Sequence, residues 1–173
     1  MKWIISLQLL ASFELFALGF TKTISQQELQ SQLQNITPIT KKKWLMSVTI
    51  SEPKIQLRSG QNGIEFTAKI TASAPGNIKG EGRGTVAGDI EYRPQQGAFY
   101  LTSIELKSFS VNDMPQKLLP QVQAFAQKQI SKAMRQYPIY KLDDTDLKQQ
   151  LLKSSLKRVE VMDQALKLEF ELF

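Results

Sequence analysis

Apolar and polar residues alternate with the two-residue period of half-buried strands over most of the middle of the chain, then change to a helical period. Met46, Val48 and Ile50 alternate with Ser47, Thr49 and Ser51. Pro53 fits an edge position or a bulge, after which Ile55 and Leu57 resume the pattern. Asn62-Gly63 marks a turn. Ile64, Phe66, Ala68 and Ile70 form a second alternation, and the reversal at Ala74-Pro75-Gly76-Asn77 leads into a third. There Gly80, Gly82, Gly84, Val86, Gly88, Ile90 and Tyr92 share one face, and Lys79, Glu81, Arg83, Asp89, Glu91 and Arg93 the other. Glycines on the inner side of a strand signal curvature, a close approach of other atoms, or room left for a ligand. A fourth strand uses Phe99, Leu101, Ile104 and Leu106, with a change of phase near Thr102-Ser103 that predicts a bulge. A last strand alternates Leu166, Leu168, Phe170 and Leu172 with Lys167, Glu169 and Glu171.

Helical spacing appears in three places. Ser25 and Glu28 form a capping-box pair, Ile24 can staple onto Leu29, and Leu29, Leu33 and Ile36 share a stripe that ends at Pro38. From Met114 to Tyr137, Leu118, Leu119, Val122, Phe125, Ala126, Ile130, Ala133, Met134 and Tyr137 gather on about half of the wheel. Asn112 or Asp113 can cap this helix, and Pro120 should kink it or delay its start. Pro138 closes it, and Ile139 to Leu142 read as extended. A short helix capped by Asp146 and carrying Leu147, Leu151, Leu152 and Leu156 follows. A long helix this apolar needs cover, and each strand offers one apolar face. The expected fold is α+β: a highly curved antiparallel sheet wrapped around one long amphipathic helix, with short helices near the N-terminus and in the C-terminal region.

The N-terminal residues change the picture of where the protein works. Met1 and Lys2 precede a largely apolar stretch, Trp3 to Phe20, and Ala17 and Gly19 suit the small-residue positions of a signal peptidase site. Residues 1–19 are read as a signal peptide or a membrane anchor, with a plain N-terminal helix as the third option, and residues 20–173 as a single domain. Gln8 and Glu14 interrupt the apolar stretch, which barely reaches the roughly 20 residues a spanning helix needs.

Composition narrows the chemistry. The 173 residues contain no cysteine and no histidine. Disulfides, thiolate metal sites, cysteine nucleophiles and the usual base partner of a serine nucleophile are thereby excluded. A formal charge of +6 favours anionic partners. Lys117, Lys128, Lys132, Arg135 and Lys141, and the run Lys41-Lys42-Lys43 before Trp44, are candidates for an anionic membrane surface or for ordinary solvated faces. Nucleic acid is a poor fit, because no recognised binding motif accompanies the charge. Asp143-Asp144-Thr145-Asp146 lacks the glycine and distal glutamate of a calcium loop, and Gly80-Glu81-Gly82-Arg83-Gly84 lacks the helix and Lys-Ser/Thr of a phosphate loop. No cofactor or metal is expected.

Several phrases carry a family likeness. Thr23-Ile24-Ser25-Gln26-Gln27-Glu28-Leu29, Gly97-Ala98-Phe99-Tyr100-Leu101, Leu118-Leu119-Pro120 and Tyr137-Pro138-Ile139-Tyr140-Lys141-Leu142 resemble the YceB-like bacterial envelope lipoproteins, and the likeness runs through nearly all of the chain after the N-terminal segment. The resemblance implies a fold similar to the tubular lipid-binding superfamily and a location in the periplasm. Members typically carry a lipidation cysteine just after the signal. Here Phe20 follows Ala17-Leu18-Gly19, so the protein is expected either to be released into the periplasm or to be tethered to the inner membrane by an uncleaved segment.

The expected function is that of a non-enzymatic binding module holding a lipid or other apolar ligand between the long helix and the concave sheet. Its lining would be Phe66, Ile70, Val86, Ile90, Tyr92, Leu118, Leu119, Val122, Phe125, Ile130, Met134, Tyr137, Leu168 and Phe170. The alternative is an envelope structural or adaptor protein with a solid core and a basic surface for membrane or protein partners, in which the same residues are plain core.

Overall fold

The computed structural model describes residues 19–59, 63–142 and 153–171. Strand β1 (Gly19–Ser25) leads into helix α1 (Gln26–Ile36). The strands β2 (Ile39–Lys43), β3 (Met46–Gln56), β4 (Gly63–Ala74), β5 (Ile78–Arg93) and β6 (Ala98–Val111) follow. Helix α2 (Leu119–Gln136), the short β7 (Tyr140–Lys141), β8 (Leu156–Met162) and β9 (Ala165–Glu171) complete the order. All pairing is antiparallel, in a six-stranded sheet ordered β2-β3-β4-β5-β6-β7 and a three-stranded sheet ordered β1-β9-β8.

The alternation that predicts the strands also sets their burial. Along β4, Ile64, Phe66, Ala68, Ile70, Ala72 and Ala74 are all buried, and the residues between them are half-exposed. The bulge expected at Pro53 is present, since the β3–β4 register shifts between Ser51 and Lys54. The phase change near Thr102-Ser103 is present too: Ser103 has φ +50° and the β5–β6 register shifts opposite it. At α1 the capping box forms as read, with Ser25 Oγ accepting from the Glu28 N–H at 3.2 Å and the Glu28 carboxylate accepting from the Ser25 N–H at 2.7 Å.

The expected fold class is corrected. No single long helix is wrapped by one sheet; the described residues are mostly strand, in two sheets, and helices α1 and α2 divide the work of covering them. Helix α1 packs on β3 and β1, and α2 packs on β6 and reaches β3. An 18-residue helix has too little apolar surface to close a six-stranded sheet alone, so α1 and the three-stranded sheet supply the rest.

The second helix is also shorter than expected. It begins at Leu119 with Pro120 in its first turn, and its N-cap residue Leu118 makes no side-chain cap, so neither Asn112 nor Asp113 caps it. Leu156 opens β8 instead of lying on a helix, and the rest of the expected C-terminal helix, like the Asn62 turn and residues 1–18, lies outside the described residues apart from a helical turn at 153–155. Strands β1, β2 and β8 were not expected. In β2 the lysine run masks the alternation, and in β8 the register shift between Leu156 and Arg158 breaks its phase.

The two free edges of the large sheet are treated differently. Strand β2 ends its pairing at Ile50, which leaves the rest of β3 without a strand on that side among the described residues. There α1 closes the edge with two glutamines one turn apart. Gln26 Oε1 accepts from the Leu57 N–H at 3.0 Å, Gln30 Oε1 from the Ile55 N–H at 2.9 Å, and Gln30 Nε2 donates to the Pro53 carbonyl. On the opposite side β7 pairs only with Ala98 and Phe99, so β6 from Leu101 onward has no strand beside it among the described residues.

Candidate functional site

The residues expected to line a ligand chamber fall into two groups. Phe66, Ile70, Val86, Val122, Phe125, Ile130, Met134, Leu168 and Phe170 are buried members of a single apolar cluster that also takes in Leu29, Leu33, Phe99 and Leu166. No polar or charged side chain is buried among the described residues. The remaining candidates, Ile90, Tyr92, Leu118 and Leu119, are half-buried against this cluster, and Tyr137 is 43% exposed.

At Gly84 and Gly88 the glycine face of β5 is occupied by neighbouring side chains. A Cβ at Gly84 would lie 2.6 Å from Ile70 Cδ1 and 3.6 Å from Leu106 Cδ1, and one at Gly88 would lie 2.6 Å from Ile104 Cδ1. The space that these glycines vacate is filled by large side chains of β4 and β6. At the far end of β5, Tyr92 stacks obliquely on Phe99 at 4.7 Å and its hydroxyl donates to the Lys153 carbonyl at 2.8 Å, which closes that end.

Open volume lies instead between α2 and the unpaired edge of β6. One cleft of about 580 Å³ is lined by Ile104, Glu105, Leu106, Pro120, Gln123, Ala124 and Gln127. A second of about 350 Å³ shares Ile104 and Glu105 and continues past Thr102 and Ser103 to Ser131 and Arg135. Together they form one groove running along the helix. Ile104, Leu106, Phe109, Leu118 and Leu119, all of them half-buried, gather around β6 and the start of α2.

The groove has a polar rim and one polar bridge. Glu105 pairs with Lys107, whose ammonium hydrogen bond holds the glutamate below its ordinary pKa. Gln127 Nε2 donates to the Ile104 carbonyl at 2.9 Å and to Ser131 Oγ at 3.1 Å, tying the helix to the bulged strand. Arg135 turns back on its own helix, with Nε donating to the Ser131 carbonyl at 3.1 Å. A further pocket of about 350 Å³ touches Ser103 and Glu105 and is lined by Glu65, Asp89 and Lys107 among others; it is the more polar site.

Strand Ile104 and Leu106 and helix Pro120, Ala124 and Gln127 were not singled out as site residues from the sequence. The phase change at Thr102-Ser103 was the available signal, because a bulge re-aims the side chains that follow it. The basic residues Lys117, Lys128, Lys132, Arg135 and Lys141 are all exposed. Among the described residues no three His, Cys, Asp or Glu side chains group as a metal site, and no helix is long and apolar enough to cross a membrane. The acidic run 143–146 lies outside the described residues.

A family model described as a protein of unknown function, DUF1439, matches residues 24–164. No curated protein matches the chain.

Proposed function

Starting from the fact that the chain belongs to the DUF1439 family, whose function is unknown, we propose that it is a non-enzymatic binding module that holds an apolar chain in the groove between α2 and the open edge of β6. The observation that carries this reading is the contrast, among the described residues, between a filled apolar cluster and an open seam walled by half-buried Ile104 and Leu106, while most of the other large apolar side chains are sealed. A cleft of about 580 Å³ falls within the range of roughly 300–1,000 Å³ typical of small-molecule sites.

The chemistry of the edge favours a ligand without backbone donors. A flat, unpaired strand would invite a peptide to add as a further strand, but β6 is bulged at Ser103, bears the Glu105–Lys107 pair, and has its Ile104 carbonyl taken by Gln127. An acyl chain asks for none of those groups. Its affinity would come from burial at about 0.8 kcal/mol per methylene, so about six sheltered methylenes would offset a substantial part of the cost of association. The resemblance to YceB-like envelope lipoproteins, and with it an exported, periplasmic setting, belongs to the same proposal and rests on the motifs and the apolar N-terminal stretch.

Titration with a fluorescent long-chain fatty acid tests this reading. Ala124 is exposed on the groove wall, so Ala124→Trp fills the groove without entering the core. The expected result is saturable binding by the native protein and at least a tenfold loss in the variant, with unchanged circular dichroism. Absence of binding, or equal binding by both proteins, contradicts it.

A further inference from the structure

The β2–β3 hairpin ends in the two-residue loop Trp44-Leu45, framed by the Lys43–Met46 pair. Trp44 is 94% exposed and Leu45 74% exposed, the most exposed large apolar side chains among the described residues. Trp44 also has φ +57°, a left-handed conformation that hairpin loops usually give to glycine or asparagine. A bulky ring in that position gains nothing from packing, so the fold itself does not explain it.

Charge surrounds the tip on one side of the balance. Lys42 and Lys43 are exposed and Lys41 is half-buried; none of the three forms an ion pair among the described residues, and no acidic residue occurs between Lys41 and Ser51. Register places the neighbouring β4–β5 turn, Pro75 to Asn77, at the same end of the sheet, with Lys79 just beyond it. Asp113 lies past the end of β6, four strands away from β2 in the sheet order.

We propose that this hairpin tip docks on an anionic lipid bilayer, with Trp44 and Leu45 entering the interface and Lys41, Lys42 and Lys43 resting on the headgroups. Tryptophan favours the headgroup level, where its ring is buried and its N–H stays wet. Lysines close behind it add attraction to anionic lipid, on the order of fivefold in affinity for each one near the surface. The groove between α2 and β6 lies at the other side of the sheet, so docking does not depend on what the groove holds.

Trp44 is its own reporter. The chain has two tryptophans, so the full-length protein carrying Trp3→Phe leaves Trp44 as the sole emitter. Mixed with vesicles of equal parts phosphatidylcholine and phosphatidylglycerol, Trp44 emission should shift to the blue and resist acrylamide quenching. Replacing Lys41, Lys42 and Lys43 with Gln should weaken that response at least tenfold, and salt should do the same. Protein that sediments with the vesicles while Trp44 stays red-emitting and quenchable overturns the proposal, because another part of the chain then makes the contact. An equal shift with phosphatidylcholine alone overturns its electrostatic half. Leu45→Ser, at an exposed site, should lower vesicle binding while leaving the melting temperature unchanged; unchanged binding counts against insertion.

Discussion

Ile104 of β6 seats its Cδ1 over Gly88 of β5, where a Cβ would stand only 2.6 Å away. The glycine therefore serves as a socket, and the side chain it receives is also a wall of the groove. Gly88→Ala would push Ile104 toward the groove and meet the Thr102 carbonyl at 2.9 Å, so it should cost about 1–3 kcal/mol and weaken fatty-acid binding. Gly82→Ala is expected to be worse, since its Cβ would fall 1.7 Å from the Ser110 carbonyl oxygen, backbone that cannot swing aside. Urea denaturation of both variants should rank Gly82→Ala as the less stable. The reverse order would contradict the close approach of β5 and β6.

Removing the glutamines that close the β3 edge should be costly. Gln30→Ala leaves the Ile55 N–H and the Pro53 carbonyl without their partner, and a loss of about 1–3 kcal/mol is expected. Gln127→Ala frees the Ile104 carbonyl and the Ser131 hydroxyl, both at an edge that water reaches, and should cost less than about 1 kcal/mol. Chemical denaturation of the two variants decides whether the edges differ in this way.

Glu28 sets an acid limb to stability. Hydrogen bonds from the Ser25 backbone N–H and hydroxyl, with Lys22 nearby, hold its carboxyl below the usual glutamate value. Because the folded pKa is depressed, the contribution is complete above the unfolded pKa and is lost as pH falls through the folded one. Glu28→Gln should flatten the melting temperature against pH on the acid side. Ser25→Ala should cost about 1 kcal/mol near neutrality, measurable by thermal unfolding.

Tyr92 acts at the other end of the pH scale. Burial raises its phenol above the ordinary tyrosine value, and its hydroxyl donates to the Lys153 carbonyl. A raised folded pKa means that the stabilisation is present below the unfolded value near 10 and declines as pH climbs toward the folded one. Tyr92→Phe should remove part of that alkaline decline and cost about 1 kcal/mol at neutral pH. An alkaline melting curve identical to that of the native protein would contradict the assignment.

Individual strands, a helix cap and two bulges were readable because alternation and capping are local properties, whereas the arrangement of two sheets was not. The strands from Met46 to Leu106, the capping box at Ser25 and Glu28, and the bulges at Pro53 and Ser103 each depend on neighbours close in sequence. What the pattern could not supply was the partner of each apolar face. The stripe from Leu118 to Met134 shows that α2 is covered, but not that α1, through Leu29 and Leu33, takes part of the same sheet. Likewise the glycines of β5 announce missing volume, while only the register reveals that Ile70, Ile104 and Leu106 occupy it. The groove arises where β7 covers only Ala98 and Phe99 of β6, a long-range pairing that the phase change at Thr102-Ser103 does not reveal.

Nuclear magnetic resonance with a spin-labelled fatty acid locates the ligand directly. Isotope-labelled protein in the presence of a stearic acid bearing a nitroxide on its chain should lose amide signal intensity along β6 from Leu101 to Leu106 and along α2 from Leu119 to Gln127. The amides of α1 and of the β2–β3 hairpin should keep theirs. Broadening centred on α1 or β9, or none at saturating ligand, would contradict a groove between α2 and β6 as the binding site.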